Sequence, residues 1–259
     1  MGKLDGKVAV ITSGSTGIGR GIGEAFLAEG ARIVINGRDA EKGARALKEI
    51  NAGERGHFIR GDVTIREDVD AVVDGAVEKF GRIDILINNA GGLIKTAPVA
   101  NLADEDWDYA VKWNLYSAFW ASRKALEYMI PQKFGRIIMI SSVEGKHGKP
   151  AIPAYVTCKH AMIGLAKSIA KENGTTGITC NAICPGLVWT DVLVATGPDS
   201  AKEMGLTFDQ MVDLFAQETA LKRISTVEEV AAVAVLLASD IAGGITGSAY
   251  NVDGGTAAY

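Results

Sequence analysis

Short apolar runs of strand length alternate with segments of helical periodicity along almost the whole chain, and this alternation leaves few folds open. "KVAVIT" (7–12), "ARIVIN" (31–36), "HFIR" (57–60), "IDILIN" (83–88), "RIIMIS" (136–141) and "ITCNAI" (178–183) read as strands. Their nearly continuous apolar character predicts that both faces are covered. Between them, "GRGIGEAFLAEG" (19–30) and "REDVDAVVDGAVEKFG" (66–81) carry apolar residues at helical spacing. A helix near 226–238 precedes a last strand, "SAYNV" (248–252). So regular an alternation predicts right-handed crossovers and an α/β fold, a doubly wound parallel sheet of about seven strands with helices on both faces. No linker and no internal repeat divides residues 1–259, so one domain is expected. One segment, 190–222, does not fit: it is long, mixed and interrupted by "TGPDS".

Several classes of protein are excluded early. A net charge of −4 without any long Lys/Arg run argues against a nucleic-acid partner. No run approaches the roughly 18 apolar residues of a membrane span, and "VAAVAVLLA" (230–238) reads as a buried helix. The N-terminus lacks the apolar core of a signal peptide. Cys158, Cys180 and Cys184 are too few and too irregular for a disulfide framework and fit a reducing, cytoplasmic compartment. His57, His147 and His160 show no zinc-ligand spacing, so no metal site is expected.

In a doubly wound sheet, ligands bind beyond the carboxyl ends of the strands. After the first strand comes "TSGSTGIGRG" (12–21). Glycines there let backbone approach a ligand closely, and the following helix offers free N–H groups to a pyrophosphate. Ser13, Gly14, Ser15, Thr16, Gly17, Ile18 and Gly19 are therefore candidate dinucleotide contacts. The second strand ends in "INGRD", without the acidic residue that accepts from an NAD ribose. Gly37 stands there instead, followed by Arg38, which is suited to clamp a 2′-phosphate, so NADP(H) is favoured and NAD(H) stays possible. Asp62 and Val63 follow the third strand; they either meet adenine or, for Asp62, cap a helix opening at "DVTIRED". Asn89, Ala90 and Gly91, in "NNAGG" (88–92), either lie along the cofactor or form a plain turn.

"YVTCK" sets Tyr155 one helical turn before Lys159. The pair is either surface amphipathicity or a device for ionising a phenol near neutral pH. Together with the "TSGSTGIG" turn, "NNAG" (88–91), Asn114 in "KWNLYS", Ser142 in "ISSVEG" and "PGLVWT" (185–190), it makes the chain resemble the short-chain dehydrogenase/reductases over essentially its full length. The resemblance implies a Rossmann-like domain and a ketone–secondary alcohol oxidoreductase with a mobile substrate lid at about 190–222. It implies that Tyr155 is the acid/base, Lys159 its partner, Ser142 a donor to the substrate oxygen and Asn114 part of a proton-relay water site. Pro185, Gly186, Val188 and Thr190 map onto the nicotinamide-side loop. One departure is Ser13, where the family's turn carries glycine. The chemistry fits the residues. A phenol pKa near 10 must fall by roughly 3 units, about 4 kcal/mol, to act as a base at neutral pH. An ammonium about 4 Å away supplies that much at an effective dielectric of about 20.

The substrate is expected to be a mid-sized, partly apolar carbonyl compound or alcohol. Leu187, Leu193, Glu144 and His147 are candidate contacts, the last two suited to a hydroxyl-bearing ring or else part of a solvated loop. Acyl-carrier-protein reductases, gluconate 5-dehydrogenases and hydroxybutyrate dehydrogenases all resemble the chain. Thr176 stands where the first use a basic residue; Glu144 and Ile152 stand where the last bind a carboxylate. A dinucleotide-binding regulator without catalysis is the alternative of another class, opposed by Ser142, Tyr155 and Lys159. The family also implies a homotetramer paired through helices around 103–130 and 154–173.

Overall fold

The computed structural model describes residues 2–257. Its first six strands are β1 (Val8–Ile11), β2 (Arg32–Gly37), β3 (Gly56–Arg60), β4 (Ile85–Asn88), β5 (Gly135–Ile140) and β6 (Ile178–Pro185). Two short strands follow, β7 (Val188–Trp189) and β8 (Ser225–Thr226), and then β9 (Ala249–Val252). The seven runs read from the sequence form one sheet in the order β3-β2-β1-β4-β5-β6-β9, every pairing parallel.

Two apolar layers explain why these strands lack polar alternation. Val8, Val10, Leu86, Ile137 and Met139 enter one layer; Ala9, Ile11, Ile85, Ile87, Ile138 and Ile140 enter the other. The period of two is there, but both faces are buried. The first layer is closed by α3 (Arg66–Phe80), α5 (Ser117–Gln132) and α6 (Pro153–Asn173); α1 (Gly17–Ala28), α2 (Ala40–Glu49) and α9 (Val227–Ala238) close the second. On α1, Ile22, Phe26 and Leu27 are the buried stripe, and Gly23 lets the helix settle on Ile33. α9 opens with a capping box between Thr226 and Glu229.

Three local expectations are corrected. α3 begins at Arg66, four residues beyond Asp62, so Asp62 does not cap it. The helix expected around 103–130 is two, α4 (Asp104–Val111) and α5, joined by a wide turn at Lys112–Tyr116 in which the Ser117 N–H reaches back five residues to the Lys112 carbonyl. Segment 190–222 folds as α7 (Asp191–Glu203) and α8 (Phe208–Glu218), with Pro198 inside α7 rather than ending it. The parallel pair β7–β8 clasps this segment where it leaves and rejoins the body.

At the opposite edge of the sheet, Asp84 is fully buried. It accepts from the Val8 N–H at 3.0 Å and from Arg82 at 2.6 Å, tying the starts of β1 and β4 together. Removing it strands a buried backbone donor. Asp84→Ala is expected to lower stability by about 2 kcal/mol in urea unfolding, and Asp84→Asn by less.

Candidate active site

From β1 the chain winds outward through β2 and β3, then returns to place β4 on the other side of β1. The order reverses there and opens a crevice above the carboxyl ends of β1 and β4. Two amides hold its rim. Asn89 Nδ2 donates to the carbonyls of Thr12 (2.9 Å) and Ser13 (3.1 Å). The Thr12 hydroxyl accepts from the N–H groups of Asn89 and Ala90, both at 3.0 Å. Asn36, buried and unnoticed in the sequence, accepts from the Ser13 N–H at 2.7 Å and donates to the Gly61 carbonyl at 3.2 Å. The loops after β1, β2, β3 and β4 are thus fastened to one another. Ser13, the departure from the family turn, takes φ +50, so the turn forms at a cost of about 1 kcal/mol, offset by the Asn36 bond.

The glycines let the turn after β1 pack tightly on its neighbours. A Cβ on Gly14 would stand 2.8 Å from Ile35, and one on Gly19 would stand 2.5 Å from Asn89 Nδ2. Gly17 adopts φ +55. Bare backbone therefore leads into the N-terminus of α1, the kind of helix end that suits an anion. Ser15, Thr16 and Ile18 lie half-buried on this turn and Arg38 is exposed just beyond β2. Val63 is buried, while Asp62 Oδ1 accepts from the Thr64 N–H (2.9 Å) and hydroxyl (2.8 Å) in an Asx turn. A residue missed in the sequence, Asp191 at the start of α7, accepts from the Gly17 N–H at 2.8 Å and pairs with Arg20 at 3.2 Å. Its only signal was its place one residue after Thr190.

Across the crevice, β5 ends and α6 begins. Lys159 is 3% exposed, and its Nζ donates to the Ile140 carbonyl at 2.8 Å and lies 5.4 Å from the centre of the Tyr155 ring. Helical spacing brings the two side chains together, and packing of α6 on β5 takes the amine out of water. Ser142 is buried just after β5, its hydroxyl accepting from the Glu144 N–H at 3.1 Å. Gly145 allows the approach: a Cβ there would stand 2.9 Å from the Lys159 carbonyl. Asn114 lies in the wide turn, fully buried, but its amide is already committed. Oδ1 accepts from the Gly92 N–H (2.9 Å), and Nδ2 donates to the carbonyls of Gly92 (3.1 Å) and Ala110 (3.0 Å). It fixes Gly92 against the wide turn, and at Gly91, with φ +137, a Cβ would meet Asn114 Oδ1.

The solvated-loop reading of Glu144 is corrected. Glu144 is buried, paired with His147 at 3.0 Å and Lys149 at 3.3 Å, and Lys149 lies over the Phe215 ring of α8. Beyond β6, Pro185 and Val188 are buried and Gly186 packs against Asp253. The Leu187 carbonyl accepts from the Ser225 N–H at 3.0 Å, and the Thr190 hydroxyl caps α7 through the Leu193 N–H at 3.0 Å. Leu193 faces Gly197 within the segment.

The expected electrostatic priming of Tyr155 is also corrected. Burial holds its hydroxyl above the ordinary phenol range; the Ser142 hydroxyl works against this, while Glu144 and Cys184 add to the rise. Lys159 is itself pulled down to about 8, chiefly by burial. Desolvation is the largest influence on both groups, which share one dry environment.

A glycine-lined phosphate turn facing a Ser–Tyr–Lys cluster across a switch-point crevice defines a nicotinamide-dependent oxidoreductase. Residues 13–257 match the family model described as enoyl-(acyl carrier protein) reductase. The chain is 37% identical to 3beta-hydroxysteroid dehydrogenase of Mediterraneibacter gnavus, covering 100% of this chain and 98% of that protein. It is 35% identical to D-beta-hydroxybutyrate dehydrogenase of Cupriavidus necator, covering 97% and 98%. The crystal structure of a variant actinorhodin polyketide ketoreductase with NADPH superposes with a TM-score of 0.93, at 32% identity and full coverage of both chains. The chain belongs to the short-chain dehydrogenase/reductase family, and it is an oxidoreductase that interconverts a ketone and an alcohol with a nicotinamide dinucleotide.

A buried amine with a lowered pKa destabilises the fold. Between pH 8 and the unfolded value of 10.5, the unfolded chain holds a proton that the folded one has lost, so this contribution makes stability rise with pH. Lys159→Met is expected to be more stable than wild type at pH 7 by up to about 3 kcal/mol. Urea unfolding should show the difference shrinking as pH climbs from 8 to 10.5.

Proposed function

We propose that the protein acts as one domain and is an NADP(H)-preferring oxidoreductase for a neutral, mid-sized ketone and its secondary alcohol, with Tyr155 as acid/base. The observation that carries this reading is the Lys159 amine, dry and hydrogen-bonded beneath the Tyr155 ring, beside Ser142. A nicotinamide held in the crevice would supply the hydride chemistry at the substrate carbon. The Tyr155 hydroxyl gives its proton to the carbonyl oxygen as charge builds there, and Ser142 donates to the same oxygen and holds it. Lys159 offsets the charge left on the phenolate. Asn114 keeps Gly92 in place along the crevice and so positions its floor.

The raised Tyr155 favours the protonated phenol at neutral pH, which suits reduction. Oxidation needs the phenolate and therefore a higher pH or added positive charge nearby. Gly37 where an NAD-type carboxylate would stand, followed by the exposed Arg38, supports the preference for NADP(H). On the substrate side, Glu144 beside Ser142 already engages His147 and Lys149, which leaves neither of them free to hold a carboxylate and disfavours 3-hydroxybutyrate or sugar acids. Three free, buried cysteines support a cytoplasmic setting. Exposed Trp107, Tyr109, Tyr116 and Phe119 along α4 and α5 support pairing of these helices between subunits of a homotetramer.

Tyr155→Phe is expected to abolish turnover while dinucleotide binding, followed by quenching of intrinsic fluorescence, survives; activity within tenfold of wild type would refute the acid/base role. In wild type, alcohol oxidation should gain rate as pH rises above neutrality while ketone reduction loses it, read from kcat against pH in both directions. Absorbance assays across neutral ketones and 3-oxo acids, with NADPH and NADH, test cofactor and substrate together. A higher kcat/KM for NADH, or for the acids, counts against the respective part.

A further inference from the structure

The NADP(H) reading above rests on Arg38; the strand register adds a second residue to it. β2 and β3 end level, with Gly37 paired to Arg60. Residues in register on parallel neighbours project to the same face of the sheet. Arg60 therefore leaves the sheet on the side where a Cβ of Gly37 would stand 3.2 Å from the Ser15 hydroxyl. Its Nε donates to the Arg38 carbonyl at 3.1 Å, anchoring the guanidinium on the residue that follows β2.

Two exposed guanidinium groups thus leave adjacent strand ends. Among the described residues, neither has a carboxylate within ion-pair distance. The acidic residues close by in the chain are committed to backbone. Asp39 accepts from the Lys42 N–H at 3.0 Å, Asp62 binds Thr64, and Asp68 accepts from the Asp62 N–H at 2.7 Å. An arginine without a carboxylate partner is free to take a dianion as its counter-ion. With Nε occupied, Arg60 still offers the two terminal NH2 groups that fit phosphate oxygens as a fork. Gly37 contributes by omission, since any side chain there would fill the space between Ser15 and the two strand ends.

We propose that Arg60 is a specificity residue for the 2′-phosphomonoester of the cofactor, completing with Arg38 and the Ser15 hydroxyl a clamp that an unphosphorylated ribose does not use. Arg60 was passed over in the sequence because it lies two residues before Asp62, at the end of another strand. Only the register brings it level with Gly37.

The test is calorimetric titration of wild type, Arg38→Ala, Arg60→Gln and Arg60→Lys with adenosine 2′,5′-bisphosphate and with 5′-AMP. Wild type should bind the bisphosphate at least about tenfold tighter than 5′-AMP. Arg60→Gln should lose about tenfold toward the bisphosphate and stay within twofold for 5′-AMP, and Arg60→Lys should regain part of the loss. An unchanged bisphosphate affinity in Arg60→Gln, or an equal loss for both ligands in both Arg60 variants, overturns the assignment while leaving the Arg38 reading intact. A wild type that does not distinguish the two ligands overturns the NADP(H) preference itself.

Discussion

A parallel sheet buried on both faces leaves only its strand ends for chemistry. Val8 and Val10 are drawn into one apolar layer, Ala9 and Ile11 into the other, and the same division repeats on β4 and β5. The inner strands β1, β4, β5 and β6 leave no face free to carry an exposed polar site. The right-handed crossovers return every strand in one direction, so the loops after β1, β2, β3, β4, β5 and β6 share one edge. The reversal of order between β1 and β4 then opens a crevice there. Asn36 and Asn89 make its rim rigid by satisfying backbone groups that buried loops would otherwise leave unpaired.

The same burial governs the acid/base cluster. Packing α6 against β5 puts the Lys159 amine where water cannot reach it, and the cost shows as a pKa of about 8. A Coulomb estimate in a partly solvated medium predicts that such an amine lowers its neighbouring phenol. The structure reverses that expectation for the chain alone, because both groups lose solvent together and Glu144 adds a like charge. The fold thus stores free energy in an uncomfortable amine and holds Tyr155 protonated, a stability sacrifice of the kind expected at functional sites.

The segment between β7 and β8 connects these two halves of the crevice. At its start Asp191 binds the Gly17 N–H and Arg20 at the phosphate end of α1. Further on, Phe215 lies under Lys149, which pairs with Glu144 beside Ser142. One pair of helices therefore touches both the glycine turn and the loop that carries Ser142. Neither contact follows from local pattern, since each joins residues separated by dozens of positions.

Much was legible from residues alone. The apolar runs identified the seven sheet strands, because burial on two faces dictates their composition. The glycines of 14–19 and the Tyr155–Lys159 interval placed the crevice and the cluster, because close backbone approach and helical spacing are local requirements. What failed or was missed has one cause. The start of α3, the wide turn at Asn114, the passage of Pro198 through α7, the burial of Glu144, and the parts of Asn36, Arg60 and Asp191 all depend on which distant backbone lies alongside. The chain's own pattern determined the class of fold, the glycine turn after β1 and the spacing of Tyr155 and Lys159. Tertiary structure decided their protonation and their partners, because desolvation and strand register come into being only when remote segments pack together.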